Sequence, residues 1–318
     1  MLELLISSFK KKGQLLNTWL FLEPIGDRPR ARLNHTLTNI GNKLYLHGGN
    51  LDGDELWEYD IDSNSRLLLE PSGSKPSARQ SHTLTNIGDK LYLHGGDTSN
   101  INANDELWEY DVNNNSWLRL NPTSNKPSAR FNHVLTNVGD KLYLHGGANS
   151  SRNNGELWKY DTSTHTWSML EPIGIKPSAR RSHALTSIGD KLYLHGGNTS
   201  GIGSSSSRSD ELWEYDTINN TWSLLEPTGA KPIRRFGHTL TSIGDKLYLH
   251  GGRASSTSDE LWEYDIENNA WSLLEPTGGR PSARYYHTLT SIGDKIYLHG
   301  GFDGNRYFGD LWENTIGN

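Results

Sequence analysis

Lys-Leu-Tyr-Leu-His-Gly-Gly, at residues 43–49, decides the fold, because it recurs along the whole chain. Further copies begin at Lys90, Lys141, Lys191 and Lys246, and a sixth, with Ile in place of the first Leu, begins at Lys295. The copies are about fifty residues apart, a period typical of repeat architectures. The eleven Trp and most of the Tyr also fall at repeat positions, so the 318 residues are predicted to form one array rather than two unrelated domains.

Each copy contains four short runs in which polar residues alternate with apolar or aromatic ones, the pattern of β-strands. In the fifth copy these runs are 236–243, 246–250, 260–265 and 271–274, and the Gly-Asp and Asn-Asn pairs between them are hairpin turn residues. A four-stranded antiparallel sheet at this period is a propeller blade. Stacking of blades around an axis covers both apolar faces, and the large aromatics of the third and fourth runs are expected to fill the space between blades.

The two ends of the chain predict how the ring closes. The last copy stops after its third run, at 310–313, whereas residues 17–24 have the form of an isolated fourth run. Trp19 precedes a Glu-Pro pair by four residues, as Trp271 does in the fifth copy. We therefore predict six blades, with the N-terminal strand completing the C-terminal blade and removing the open sheet edges.

The spacing resembles the kelch repeat, with Gly-Gly, a Tyr three residues before it, a downstream Tyr-Asp pair and then a Trp. The resemblance covers residues 17–318 and implies an all-β, six-bladed kelch-type β-propeller with four antiparallel strands per blade. One departure is Arg66, which occupies the place of the fourth-run Trp. That blade is expected to pack less apolar area there, or to lay the Arg66 stem along the gap. The copies are unusually similar to one another, which indicates recent duplication or design.

Composition argues against several classes of function. The formal net charge of −6 argues against nucleic acid as a partner. The absence of Cys excludes disulfides, thiolate metal sites and Cys nucleophiles, and no run approaches the ~20 apolar residues of a membrane span. Residues 1–16 lack the order of a secretory signal, so a soluble, cytoplasmic protein is favoured. These residues are expected to be a flexible leader or a short helix before the single domain at 17–318.

One mouth of the central channel is predicted to carry the function. The loops after Gly-Gly and the approaches to the first strands emerge at the same end of each blade, and those loops vary in length and content, as binding loops on rigid scaffolds do. Every copy has an Arg three residues before the first-strand His. We call these six residues the ring arginines: Arg32, Arg79, Arg130, Arg180, Arg235 and Arg284. A ring of cations would attract anions, and Arg suits forked contacts with carboxylate or phosphate. The alternative is that each Arg ties one blade to the next by bonding a carboxylate or a carbonyl.

Positions that differ between copies are predicted to set specificity. They follow the ring arginines or lie in the loops after Gly-Gly, and they are Phe131, Phe236, Tyr285, Asn50, Asp97, Asn198, Arg253, Phe302 and Tyr307. Exposed aromatic residues and Arg are typical binding hot spots, although each could equally be an ordinary loop residue. Such Arg positions and the residues after Gly-Gly line the pocket in kelch propellers that bind peptides, and the resemblance implies the same arrangement here.

Twelve His form two regular sets, one opening the first strands and one preceding Gly-Gly. Their even spread argues against a metal site, because the ligands of one ion must cluster, so structural histidines are predicted, with no metal or cofactor. Among enzymes that the resemblance suggests, galactose-oxidase-like proteins need a Cys, and the plant specifier proteins need a Glu-x3-Asp-x3-His spacing that does not occur here. The sialic-acid epimerase type stays open, since an Arg-lined mouth would suit an anionic sugar.

These observations predict a non-enzymatic binding module that recognises an acidic peptide or protein, or an anionic glycan, at the Arg-ringed mouth. No catalytic residue is assigned. Two alternatives remain open. One is a kelch-type enzyme, an epimerase or lyase, acting on an anionic sugar, and the other is a designed or recently amplified scaffold with no evolved ligand.

Overall fold

The computed structural model describes residues 17–50, 53–98, 102–123, 125–204 and 206–316. These residues form 24 strands in six four-stranded antiparallel sheets, with no helix among them. No membrane-spanning helix is therefore found in the described part of the chain. The predicted leader at residues 1–16 lies outside it.

The strands follow one another blade by blade along the chain. The N-terminal strand is β1 (Trp19–Leu22). Blade 1 contains β2 (Thr36–Ile40), β3 (Lys43–His47), β4 (Leu56–Asp60) and β5 (Ser65–Leu69). Blade 2 contains β6 (Thr83–Ile87), β7 (Lys90–His94), β8 (Leu107–Asp111) and β9 (Ser116–Leu120). Blade 3 contains β10 (Val134–Val138), β11 (Lys141–His145), β12 (Leu157–Asp161) and β13 (Thr166–Leu170).

The second half of the ring repeats this order. Blade 4 contains β14 (Ala184–Ile188), β15 (Lys191–His195), β16 (Leu212–Asp216) and β17 (Thr221–Leu225). Blade 5 contains β18 (Thr239–Ile243), β19 (Lys246–His250), β20 (Leu261–Asp265) and β21 (Ala270–Leu274). Blade 6 contains β22 (Thr288–Ile292), β23 (Lys295–His299) and β24 (Leu311–Thr315), and its fourth strand is β1.

The predicted ring closure is confirmed. β1 pairs antiparallel with β24, with Trp19 opposite Asn314 and Leu22 opposite Leu311. The first strand of each blade is innermost, and neighbouring first strands contact one another around the axis. The two ends of the chain are thus joined within one sheet, and β24 has a paired strand on each side, as the third strand of every other blade does.

The apolar core lies in the seams between blades. At the seam of blades 1 and 2, Tyr45 and Leu56 of blade 1 pack with Leu91, Trp108 and Trp117 of blade 2. The third- and fourth-strand aromatics therefore fill the gap, as the repeat pattern predicts. The seam of blades 6 and 1 differs, because its cluster has four fully buried apolar residues where the others have six to nine. That is the seam in which Arg66 stands in place of Trp.

Candidate binding face

The loops after Gly-Gly lie beside the approaches to the first strands. In blade 5, the backbone N–H of Arg253 donates to the carbonyl of Phe236 at 2.9 Å, and that of Phe236 donates back at 3.2 Å. Tyr285 and Phe302 pair in the same way in blade 6. The variable positions therefore share one end of the ring, which we call the loop face.

The six ring arginines are buried in the walls of this face. Each is 0–2 % exposed. The Arg130 guanidinium donates to the Gly146 carbonyl at 2.9 Å and to Glu156 Oε2 at 2.7 Å, while its Nε donates to the Ser128 carbonyl at 2.9 Å. The other five arginines bond a Gly-Gly carbonyl and an acidic side chain in the same way. The expected ring of cations lining the mouth is corrected accordingly, since desolvated guanidiniums must be paired and these are paired within the protein.

Each ring arginine also joins two blades, which is the alternative that the sequence left open. The side chain of Arg130 bonds its own blade, but its backbone bonds blade 2, where its carbonyl accepts from Gly96 at 2.9 Å and its N–H donates to Asn104 at 3.1 Å. Arg32 makes the equivalent backbone bonds to Gly301 and Phe308 across the closure between blades 6 and 1. The uniformity of these arginines therefore follows from assembly of the ring.

The pairing with Arg130 changes the pKa of Glu156. Burial alone would raise the pKa of Glu156, but the hydrogen bond and charge of Arg130 outweigh it and hold the pKa below its usual range.

The double glycine allows neighbouring blades to approach closely at the ring arginines. A Cβ on Gly146 would lie 2.7 Å from the Arg180 carbonyl oxygen and 2.7 Å from His183, so only glycine fits there, at a φ of +67°.

The twelve regularly spaced histidines pair across the six seams. The His47 Nδ1 lies 3.0 Å from His82 Nε2, and the other pairs repeat this contact at 3.0–3.1 Å. Burial lowers the pKa of His47 to about 3, and the pKa of every other member is lowered by the same cause. The rings are thus neutral, with one imidazole N–H donating to the other in each pair.

A closed ring of backbone hydrogen bonds surrounds the axis at the loop face. Each blade contributes one residue, whose N–H donates to the preceding blade at 2.8–3.1 Å. These residues are Asn34, Ser81, Asn132, Ser182, Gly237 and Tyr286. All six have φ between +53° and +64°, the left-handed region that Asn and Gly adopt most readily. Five of the six are Asn, Ser or Gly, and Tyr286 is the one with a bulky aromatic side chain.

The Tyr286 side chain lies across part of the channel mouth. Its ring atoms would be 3.1 Å from a Cβ on Gly237, and its hydroxyl is 3.3 Å from Ser182 Oγ in blade 4. It thereby crosses from blade 6 over blade 5 to blade 4. Burial raises its pKa, so the phenol stays neutral near pH 7.

Aromatic side chains gather around Tyr286 on blades 5 and 6. Ring centroids are separated by 5.0 Å for Tyr285 and Tyr286, 6.0 Å for Phe236 and Tyr286, and 5.7 Å for Tyr285 and Phe302. Phe302 and Tyr307 stack at 4.9 Å, and Tyr307 is 44 % exposed. We call these five residues the aromatic patch. It unites four of the predicted variable residues with Tyr286.

Three arginines border the aromatic patch, and we call them the patch arginines: Arg181, Arg208 and Arg253. Arg208 lies over the ring of Phe236 at 5.5 Å, and Arg253 lies over that of Tyr285 at 5.4 Å. Arg181 donates to loop acceptors, including Asn153 Oδ1 at 2.6 Å. Within the described ranges none of the three forms an ion pair with a carboxylate, and the buried Nε of Arg208 has no hydrogen-bond acceptor.

The remaining predicted residues lie elsewhere on the loop face. Asn50 accepts a hydrogen bond from the Leu33 N–H at 2.8 Å, and Asn198 accepts one from the Ser200 N–H at 2.9 Å, so both shape their loops. Asp97 and Phe131 pair through their backbones with neighbouring loops on blades 2 and 3. They do not join the aromatic patch.

Sequence reasoning missed Arg208 and Tyr286 as members of one site. Arg208 lies in the longest loop after Gly-Gly, which has no counterpart of equal length in other copies, so repeat alignment assigns it no position. Tyr286 carried a usable signal, because the equivalent residues are Asn, Ser or Gly in all five other copies. A bulky residue at a position otherwise held by turn formers indicates a special role.

The arrangement that would favour an acid–base enzyme is not found among the described residues. The side-chain hydrogen bonds of the paired histidines go only to histidine and threonine side chains, and His165 bonds Tyr160. A carboxylate and a His within hydrogen-bond reach at the mouth is the arrangement that would support the epimerase hypothesis.

Comparison with known proteins agrees with the observed architecture. A family model described as the KLHDC2/KLHL20/DRC7 Kelch-repeats domain matches residues 15–197 and 199–317. A solved structure entitled "Structure of YjhT" superposes with a TM-score of 0.73, at 19 % identity, over 90 % of this chain and 95 % of that one. At this identity the likeness shows the fold alone.

Curated relatives match over a small part of their own length. Host cell factor of Drosophila melanogaster is 29 % identical over 251 residues, which is 73 % of this chain and 17 % of that protein. Rab9 effector protein with kelch motifs of Danio rerio is 38 % identical over 50 residues, or 16 % of this chain and 14 % of that protein. The matches thus span less than a fifth of the length of these relatives.

Proposed function

The chain belongs to the kelch-repeat family, and from that premise we propose that it is a protein-interaction module that binds an acidic peptide segment at the aromatic patch. The observation that carries this proposal is the gathering of three arginines, none of them in an ion pair with a described carboxylate, around five aromatic side chains. Arg and aromatic residues are the types that dominate binding energy at interfaces. They also lie where the six copies differ most, on a scaffold whose other contacts are uniform.

The charge of the site favours an anion. The ring arginines are neutralised by their acidic partners, so their contribution to the potential at the loop face is small. Among the described residues, the patch arginines are compensated by carbonyl, amide, hydroxyl and π contacts. A carboxylate approaching them would gain charge-assisted hydrogen bonds, which are roughly twice as strong as neutral ones.

A peptide fits this site better than a glycan. Sugars bind aromatic residues by stacking on open ring faces, and here one face of each of three rings is already covered. Arg208 covers Phe236, Arg253 covers Tyr285, and Tyr307 stacks on Phe302 with 28° between the planes. Phe236 and Tyr285 are buried, so the patch offers chiefly Tyr307 and guanidinium groups, which suit the aromatic and acidic side chains of a peptide.

The scaffold interpretation predicts a fully engaged arginine ring, which the structure has, and a face with no open site. The second condition is not met, because the aromatic patch is partly exposed and its arginines lack carboxylate partners. We therefore prefer binding at the patch to a ligand-free scaffold.

The test is fluorescence anisotropy of the full chain with a library of labelled Asp- and Glu-rich peptides, and with the same peptides carrying Asn and Gln instead. We expect binding of acidic peptides only, with affinity that falls as salt is raised, because exposed charges are screened. The double variant Arg208→Ala, Arg253→Ala should weaken binding at least about tenfold, whereas Arg119→Ala, an exposed arginine on β9, should not. Equal binding by the double variant, or equal affinity for the neutral peptides, would overturn the proposal, and selective binding of sialylated glycans would reassign the ligand.

A further inference from the structure

Four of the six seams are closed at their outer side by an ion pair. The residue before each Glu-Leu-Trp is Asp in blades 1, 2, 4 and 5. This Asp forms an ion pair with the Lys or Arg just before the proline that leads into the next blade, which we call the entry cation. The pairs are Asp54 with Lys75 at 2.9 Å, Asp105 with Lys126 at 3.1 Å, Asp210 with Lys231 at 3.2 Å and Asp259 with Arg280 at 3.9 Å.

The other two seams carry glycine instead of this Asp, and a groove opens at each. Gly155 lies in a groove of about 480 Å³ between blades 3 and 4, and Gly309 lies in one of about 450 Å³ between blades 6 and 1. The two grooves are three blades apart, on opposite sides of the ring. Their entry cations, Lys176 and Arg28, form no ion pair with any described carboxylate.

The groove between blades 6 and 1, which we call the closure groove, has a second departure from the repeat. Trp222 lines the groove between blades 3 and 4, and the equivalent residue in the closure groove is Arg66. Arg28 and Arg66 therefore face the same space, with Arg30 also in its lining. Phe21, which is 51 % exposed, forms an aromatic wall.

The positive charge of the closure groove is not balanced by the carboxylates around it. Asp310 lines the groove, but both of its oxygens accept from Arg284, at 2.6 and 2.8 Å. Glu23 is exposed at the rim and pairs with neither Arg28 nor Arg66. Burial lowers the pKa of Arg66, and the like charge of Arg28 lowers it further, with no carboxylate raising it. Arg66 is partly buried and Arg28 is exposed at the rim, so the burial cost falls on Arg66, and an anion in the groove would offset it.

We propose that the closure groove is a second binding site, for a phosphate monoester carried on a small aromatic or apolar group. A phosphate dianion matches the charge of two unpaired guanidiniums and offers oxygens for forked contacts with both. The volume is within the range of small-molecule sites, and the Phe21 wall suits an apolar substituent. This site is separate from the aromatic patch, so it stands whether or not the patch binds a peptide.

The test is isothermal titration of the full chain with phenyl phosphate, and in parallel with a short phosphotyrosine peptide and with benzyl alcohol. We expect saturable binding of the phosphates and none of the alcohol. Tighter binding of phenyl phosphate would indicate a free small phosphate as ligand, and tighter binding of the peptide would indicate a phosphorylated protein segment. Absence of saturable binding by both phosphates would overturn the proposal.

Two variants localise the binding. Arg66→Trp restores the residue of the other five blades, and Arg28→Ala removes the entry cation. Each should weaken phosphate binding at least about tenfold, as expected for loss of a charged hydrogen-bond donor. The matched control is Lys75→Ala, which removes the equivalent cation from a seam that Asp54 closes, and it should bind as the parent does. Unchanged affinity in both variants would overturn the proposal even if phosphate binds elsewhere.

Discussion

At the scale of single residues, each ring arginine joins two neighbouring blades through its backbone and its side chain. Arg130 bonds blade 2 through its backbone and blade 3 through its guanidinium, with Glu156 neutralising its charge. The same geometry occurs at every seam, including the one that closes the ring. Six equal bridges between blades explain why this arginine does not vary while the residues that follow it do.

Replacement of Arg130 by Ala should destabilise the protein without affecting peptide binding. The substitution removes four side-chain hydrogen bonds and leaves Glu156 without its charged partner, which should lower the free energy of unfolding by about 3 kcal/mol. Urea denaturation followed by Trp fluorescence measures this change. Lys126→Ala, a surface cation four residues earlier, is the control and should cost less than about 1 kcal/mol. An Arg130→Ala variant of parental stability that no longer binds acidic peptides would contradict the structural role.

The paired histidines predict a steep loss of stability in mild acid. Their pKa values are lowered in the folded protein, to about 3 for His133 and His145, whereas unfolded histidine titrates near 6.5. The unfolded state therefore binds more protons below pH 6.5, and stability is present above that pH and lost as the pH falls. Each histidine contributes up to about 1.4 kcal/mol per pH unit, so several together should unfold the protein between pH 6 and 5.

Urea midpoints measured from pH 8 to pH 5 test this dependence. They should be flat above pH 7 and fall steeply below 6.5, before most carboxylates titrate. A midpoint at pH 5 equal to that at pH 7 would show that the pairs accept protons without unfolding.

The residue types at the site could be predicted from the sequence, but their burial could not. Arg130 recurs in every copy and Arg253 does not, but repetition alone left open whether Arg130 faces the mouth or ties two blades together. Arg130 is buried because Glu156, 26 positions later, approaches it only in the folded blade. Arg208 escaped prediction because its loop has no aligned counterpart. Pairing across long sequence separations is decided by the tertiary structure, which repeat spacing does not encode.

At the scale of elements, β1 is the strand that closes the ring. Its place as the fourth strand of blade 6 could be predicted, because Trp19 and the following Glu-Pro repeat the spacing of Trp271 and its Glu-Pro. Trp19 is 3 % exposed and packs with Tyr248, Leu261 and Leu298 in the seam of blades 5 and 6. The strand therefore contributes apolar burial as well as sheet hydrogen bonds.

Trp19→Ala should be strongly destabilising, because it removes a buried aromatic from a packed seam. Substitutions of this kind cost about 3–5 kcal/mol. Phe21→Ala is the matched control on the same strand, since Phe21 is 51 % exposed, and it should cost about 1 kcal/mol or less. Chemical denaturation of both variants gives the comparison. Equal losses would mean that β1 is held by its backbone pairing alone and that seam packing does not matter.

At the scale of the whole molecule, the ring differs from an open repeat array, since every blade has two neighbours. The six backbone hydrogen bonds around the axis and the six His pairs run through all seams without interruption. In an open array stability is roughly a sum of local terms, and a stronger interface affects its own neighbourhood. In a closed ring, unfolding of any blade breaks two seams, so the ring should open as one unit.

Arg66→Trp tests whether the ring unfolds as one unit. The substitution places the repeat's own residue in the seam with the fewest buried apolar residues, and it should raise the free energy of unfolding by about 1–2 kcal/mol. Native-state hydrogen exchange then reports where the gain appears. Because amides that exchange only by global unfolding share the whole gain, those of β14–β17 in blade 4, opposite the substitution, should slow about as much as those of β2–β5. Slowing confined to blades 6 and 1 would show that the blades open separately, and the closure by β1 would then fix the shape of the ring without making it cooperative.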